Sequence, residues 1–344
     1  RTGPVHLNLP TDIMKREVSY KGGRISIGQA AVFDREGVKK AARLLLSAKR
    51  PVMIAGWGTV LSRADKELLE LAEMMDIPVA TSQKGKGIFN ELHPLSLGVL
   101  GFAGSPIAKK YIMENSVDVM LAIGTSFNEW MTSGWDERLL PSVAKIQLDI
   151  DPDEIGKNYP VTVGITGDAR VVLRELIYEL KRQLGEEKII GGNRQKEIKK
   201  LRKRFASTAK GMKSSRIPYK PQRLMKDIMD SLPENAIYFA DNGNSMAWAI
   251  RYIDNTAPYS FYVGLGFASM GYAVASPVGA KLAEPDRPVI TLVGDGGFLM
   301  NGMEVATAVN YDIPVIWIIM NNAMHGMVYH GWKLLSSPEG FPSR

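Results

Sequence analysis

Short, uninterrupted apolar runs alternate with amphipathic stretches along most of this chain, and that alternation limits the fold more than any other feature. Runs at 51–55, 77–81, 117–123 and 144–150 read as strands, with helical spacing at 35–47, 64–75, 107–115 and 168–183. A strand with one wet face alternates apolar and polar residues, whereas an unbroken apolar run is buried on both faces. Helices covering both sides of a parallel sheet bury it in that way, so the pattern predicts a parallel α/β sheet. The alternation breaks at 185–193 and resumes beyond 221. There the spacing predicts a helix at 221–231, strands at 236–240, 289–293 and 315–320, and helices near 269–283 and 298–309. Since 344 residues are too many for one core, the expected architecture is two Rossmann-like parallel-sheet α/β domains joined by a basic helical linker. Residues 3–9 read as a lone short strand closed by Pro10, and the chain past Trp332 as a polar loop, so both ends read as cut from something larger.

Composition removes several classes of function. The chain has no cysteine, which excludes disulfides, thiolate metal sites and a cysteine nucleophile. The four histidines, His6, His93, His325 and His330, show no close pairing on a helix, which argues against a zinc enzyme. No stretch approaches the roughly 20 apolar residues of a membrane span, and no cationic-then-apolar leader is present. A cytoplasmic protein with no membrane partner is the expectation. The net charge of +7 invites a nucleic-acid reading until it is located. Thirteen of the 43 Lys and Arg residues lie between Arg194 and Lys226 beside a single acid, Glu197, while the other 30 stand against 35 acids. A confined basic run is more often the solvated face of a connecting helix than a grip on phosphates, so nucleic acid is not expected.

Chemistry concentrates in the stretch from Val289 to Asn322. An apolar strand runs directly into Gly294-Asp295-Gly296-Gly297, and a helix begins at once. Glycines there permit a sharp turn and leave backbone N–H groups open to a phosphate. Asp295 places a hard oxygen ligand at the strand end. One helix later, the next strand ends in Asn321-Asn322, with Asn322 lying 27 positions beyond Asp295. Both strand ends belong to the carboxyl edge of a parallel sheet, where open α/β sheets bind ligands, so Asp295 and Asn322 can share one metal. Gly-Asp-Gly alone is most often a plain turn. Two strand-terminal motifs one strand–helix–strand unit apart make that reading weak.

This pair resembles the thiamine diphosphate fingerprint of the pyruvate-decarboxylase and acetolactate-synthase superfamily. Other stretches are similar, in order, to the acetolactate synthase large subunit of branched-chain amino acid biosynthesis. They are Gly3-Pro-Val-His-Leu-Asn-Leu-Pro-Thr-Asp12, Arg50-Pro-Val-Met-Ile-Ala-Gly56, the loop from Gly85 to Gly98, Asp149-Ile-Asp-Pro-Asp-Glu-Ile-Gly156 and Asn321-Asn-Ala-Met-His-Gly-Met-Val328. The resemblance implies four parts: 1–30, the tail of a pyrimidine-binding domain and a linker; 31–185, a central nucleotide- or flavin-type domain; 186–220, the basic linker; and 221–344, a diphosphate- and magnesium-binding domain. It implies that Asp295, Asn322 and the backbone oxygen of Met324 hold magnesium (Mg2+). The backbone at Gly294, Gly296 and Gly297 would hold the diphosphate, aided by Gly243, Asn244 and Ser245. Met270, in Ala268-Ser-Met-Gly271, would force thiamine diphosphate into its bent shape. His325 would donate near the substrate. A small 2-keto acid would lose carbon dioxide on the cofactor and pass its remainder onward, in a homodimer or homotetramer.

Departures from the family pattern carry their own expectations. Ser126 and Trp130 stand where acetolactate synthases carry arginines that meet flavin adenine dinucleotide (FAD). Losing two charge-assisted contacts predicts weak or absent FAD binding, with Asp149 and Asp151 left to meet the ribose hydroxyls of a smaller nucleotide. The carboxylate that activates the pyrimidine ring belongs to the family's first domain. This chain alone is therefore expected to hold the cofactor weakly, by its diphosphate end, and not to turn over pyruvate. The alternatives are a related flavin-free 2-keto-acid decarboxylase or carboligase and, in another class, a non-catalytic nucleotide-binding scaffold. The intact pair of metal ligands argues against the scaffold.

Overall fold

Strands β1 (Val52–Ala55), β2 (Val79–Thr81), β3 (Ser96–Val99), β4 (Val119–Ile123), β5 (Ala144–Asp149) and β6 (Val163–Thr166) form one sheet in the order β3-β2-β1-β4-β5-β6. Every neighbouring pair is parallel. The computed structural model describes residues 6–19, 33–114, 117–185 and 193–335. β1, β2 and β4 are buried at every position, as their unbroken apolar runs predict. The helix Arg35–Ser47 starts where Asp34 accepts the Glu36 N–H, and it buries Val38, Ala41, Ala42 and Leu45 at helical spacing. The helix Ala169–Leu184 starts in the same way, with Asp168 accepting from Arg170 and Val171.

A second sheet holds β7 (Ile237–Ala240), β8 (Phe261–Val263), β9 (Val289–Gly294) and β10 (Ile316–Met320), ordered β10-β9-β7-β8 and again parallel throughout. Two parallel-sheet α/β domains are therefore present, as the alternation predicts. The helix Pro221–Ser231 falls where the spacing puts it, with proline at its first position. Where the domains meet, Lys86 and Glu91 form a buried ion pair. Glu91 also accepts the Asn255 N–H at 2.8 Å and donates its own N–H to the Asn255 carbonyl at 2.9 Å. The Tyr259 hydroxyl reaches Asp65 at 2.5 Å.

Four expectations need correction. Residues 6–9 are exposed and form no strand; backbone groups without a neighbouring strand have nothing to pair with. The rest of that expected strand lies outside the described residues. The helix expected near 298–309 is two helices, Asp295–Asn301 and Glu304–Asn310, separated at Gly302 and Met303. The helix Gly326–Leu335 carries the chain three residues past Trp332, where a polar loop was expected, and the remainder of that expected loop lies outside the described residues. The basic segment is no free connector: the helix Asn193–Phe205 buries Ile198 and Leu201 in the first domain's core. Its Arg194 donates to the carbonyls of Met75, Asp76 and Lys49, and Arg202 to those of residues 91, 92, 93 and 96.

Candidate functional site

The chain leaves β7 for β8 on one side and returns on the other side with β9, so the carboxyl ends of β7 and β9 border a crevice, the usual ligand position in open α/β sheets. A cavity of about 290 Å³ lies there. It is lined by Gly243, Asn244, Ser245, Ala268, Met270, Gly294, Asp295, Gly296, Gly297, Asn322, Met324 and His325. The twelve residues that the resemblance assigns to metal, cofactor and substrate therefore line one space.

Sheet register brings Asp295 and Asn322 together at one side of the cavity. Gly294 at the end of β9 pairs with Met320 at the end of β10. Asp295 and Asn322 leave these adjacent ends in the same direction. The Asn322 side-chain oxygen accepts the Met324 N–H at 3.3 Å, and the Met324 carbonyl accepts from Gly326 at 2.9 Å. Each of these oxygens keeps a further lone pair. A carboxylate, a carboxamide oxygen and a carbonyl are hard donors of the kind magnesium takes. Among the described residues no group of three His, Asp or Glu side chains could hold a metal by itself. The site thus suits a cation that draws its remaining ligands from a phosphate.

Glycine backbone forms another side of the cavity, of a kind that could receive a phosphate. A Cβ built on Gly243 or Gly294 meets nothing within 4 Å, so both face open space. At Gly296 a Cβ would lie 2.8 Å from His325 and 3.3 Å from the Met270 methyl, which brings both side chains close to the Gly296 backbone. At Gly297 it would lie 2.1 Å from Asp241 Oδ2. Asp241 closes β7 and is fully buried; burial pushes its carboxyl above the usual range, opposed by the N–H groups of Gly271, Ala273 and Asn242. Ser245 donates its hydroxyl to the Asp241 carbonyl at 3.0 Å, so what it offers the cavity is chiefly backbone. Met270 precedes the helix Tyr272–Ala283, in a turn, and lines the cavity rather than a helix interface.

Sequence reasoning missed the apolar wall. Trp130, Trp248, Leu265 and Val328 also line the cavity. Trp130 comes from the first domain and sits edge-on to Phe102 at 4.6 Å between ring centroids. The sequence marks this position only by the charge it lacks. A separate crevice of about 230 Å³ opens at the ends of β1 and β4, where the first sheet's strand order reverses. Ser126, Asp149, Glu154 and Lys84 line it, Lys84 being the one cation among its lining residues. Asp151 instead accepts the N–H of Asp153 and caps the short turn at 152–154.

The sequence matches two families, described as the thiamine pyrophosphate enzyme central domain over residues 38–176 and the thiamine pyrophosphate enzyme C-terminal binding domain over residues 241–341. The chain belongs to the thiamine pyrophosphate (thiamine diphosphate) enzymes. Within that class it is similar to the probable acetolactate synthase large subunits of Methanocaldococcus jannaschii, 39% identical, and Methanococcus aeolicus, 37% identical. Each match covers 97% of this chain and 57% or 58% of the relative. The sulfoacetaldehyde acetyltransferase of Alcaligenes xylosoxydans xylosoxydans is 31% identical over 94% of this chain and 57% of its own length. The chain thus spans somewhat under three-fifths of these relatives.

Proposed function

We propose that this chain carries the metal- and diphosphate-holding part of a magnesium-dependent enzyme that decarboxylates a 2-keto acid and joins the remainder to a second one, as acetolactate synthases do. The observation that carries this reading is the placement of Asp295 and Asn322 on adjacent strand ends, beside open glycine backbone, in a cavity that Met270 also lines.

The donor set fits magnesium, and the glycine cradle fits a diphosphate. Asp295, Asn322 and the Met324 carbonyl would hold the metal. Backbone at Gly243, Gly294, Gly296 and Gly297 would receive the diphosphate. Thiamine diphosphate, when bound, supplies the carbon nucleophile and electron sink of the reaction. Met270 and Ala268 shape the space beside it. Trp130, Trp248 and Leu265 keep water from that space, which strengthens every charge interaction inside. His325, which lines the same cavity as Met270, would hand a proton to a bound substrate there.

Among the described residues Asp295 is the one carboxylate lining the cavity, and it is committed to the metal. The carboxylate needed at the pyrimidine ring would come from a further segment or a second subunit. That is consistent with a homodimer or homotetramer and with relatives called large subunits. On this reading residues 1–344 alone do not turn over pyruvate, and the protein works in the cytoplasm. The four-part division of the chain, with a basic linker at 186–220, belongs to the same proposal.

Trp130 and Ser126 favour a flavin-free variant as the second reading, because neither supplies a cation. The test is the product. Given magnesium, thiamine diphosphate and a separately made pyrimidine-binding domain of the Methanocaldococcus jannaschii relative, the chain should convert pyruvate to acetolactate. Carbon dioxide and aldehyde without acetolactate would favour the simple decarboxylase.

A further inference from the structure

Met270 sits in a turn that the cavity itself does not hold, and three side chains outside the metal and diphosphate contacts fix that turn. Gly271 has φ +84°, a conformation glycine adopts without strain. Its N–H donates to Asp241 Oδ2 at 3.0 Å, and its carbonyl accepts from Asn301 Nδ2 at 3.1 Å. The other oxygen of Asp241 accepts the Ala273 N–H at 3.0 Å. One residue before Met270, the Ser269 carbonyl accepts from Asn242 Nδ2 at 2.8 Å. The residue beside Met270 is therefore gripped at both of its backbone polar groups, from the end of β7 and from the helix that begins at Asp295. Asp241 also fills the space beneath Gly297, so one carboxylate touches both the turn carrying Met270 and the turn carrying Asp295.

We infer that Asp241 and Asn301 are positioning residues: they clamp Gly271 and so hold Met270 at a fixed distance from the Gly294–Gly297 turn. The inference rests on the reading of Met270 as the side chain that shapes the bound cofactor. The fixed spacing matters because a flexible thioether would otherwise sample several rotamers, and a cofactor held in one strained shape needs a wall that does not yield. Asn301 links the two sides directly, since it belongs to the helix whose first residue is Asp295. Asp241 links them from below, as a buried acceptor whose removal would leave two helix-terminal N–H groups without partners.

The test uses the chain labelled with carbon-13 at its methionine methyl groups, with the Met270 resonance assigned through Met270→Leu. In the unaltered protein the Met270 methyl, next to the His325 ring, should give one sharp resonance shifted away from those of exposed methionines. Asn301→Ala and Asp241→Asn should each broaden it or move it toward the exposed position. The affinity for inorganic diphosphate with magnesium should stay within about twofold, less than the loss of one hydrogen bond to that ligand would produce. An unchanged Met270 resonance in both variants would overturn the inference. So would a diphosphate affinity that falls together with the resonance, because Asp241 would then be acting through Gly297. Asn301→Ala changes a partly exposed side chain, and its result decides the matter even if Asp241→Asn does not fold. If the unaltered chain binds no magnesium diphosphate, the proposed function fails, while the Met270 resonance still tests the clamp.

Discussion

Asp295 and Asn322 leave the second sheet side by side, because Gly294 pairs with Met320 in the parallel register of β9 and β10. Slipping that register by one residue would carry Asn322 away from Asp295 and turn the faces of β10 over. The five paired positions from Ile290–Ile316 to Gly294–Met320 are thus what brings two residues far apart in sequence to one place, where the proposed metal would sit.

Gly297→Ala should be damaging out of proportion to its size. The new methyl would lie 2.1 Å from Asp241 Oδ2, a buried oxygen already holding the Gly271 N–H. Overpacking of this kind costs about 1–3 kcal/mol. Urea unfolding should show that loss together with weaker diphosphate binding. A variant as stable as the parent would mean that Asp241 can move aside freely.

The buried pair at the domain junction should behave asymmetrically. Glu91→Ala strands the Lys86 ammonium and the Asn255 N–H in the interior, and losses of this type run to about 3–5 kcal/mol. Replacing both charges, with Lys86→Met and Glu91→Leu together, should cost clearly less than Glu91→Ala alone. Equal urea midpoints for the single and double variants would contradict this.

Lys145 gives the first domain a pH signature. Its ammonium lies 3.9 Å from the Phe127 ring centroid and 3.5 Å from the Tyr159 carbonyl, and burial pulls its pKa down to about 8. Between that value and the ordinary lysine range the unfolded chain binds more protons than the folded one, so this contribution to stability rises with pH across roughly 8 to 10.5. Below about pH 8 both states are charged and the burial penalty is present in full. Lys145→Met should therefore be more stable than the parent at pH 7, by on the order of 1–3 kcal/mol before the lost ring contact is counted. The gap should close as the pH rises toward 10. A gap independent of pH would show that the amine stays hydrated.

FAD should bind weakly or not at all. The crevice at β1 and β4 is lined by one cation, Lys84, against Asp149 and Glu154, so a pyrophosphate would meet as much repulsion as attraction. The purified chain should be colourless. Yellow protein that releases one flavin per chain on denaturation would refute the reading.

Most of the site was legible because its two motifs sit at strand ends, and strand ends in a parallel sheet share an edge. The strands that escaped notice are short or interrupted: β3 reads Ser-Leu-Gly-Val, β8 has three residues, and β6 exposes Gly164 and Thr166. Such runs lack the unbroken apolar pattern that marked β1 and β4. The helix Asn193–Phe205 was expected, but its docking was hidden by its own charge, which masks the two residues, Ile198 and Leu201, that hold it to the first domain. Trp130 was missed as a cavity residue for a different reason. It reaches the second domain's site from the first domain, and no local spacing records a contact between residues so far apart in sequence.

Titration calorimetry of thiamine diphosphate into the chain, with magnesium or with a chelator, tests the central assignment most directly. The account predicts weak but magnesium-dependent binding to the unaltered chain. It predicts none to Asp295→Ala, whose unfolding transition should stay close to the parent's because a partly buried strand-end carboxylate adds little to packing. Binding of the same strength to Asp295→Ala, or binding that ignores the chelator, would contradict it.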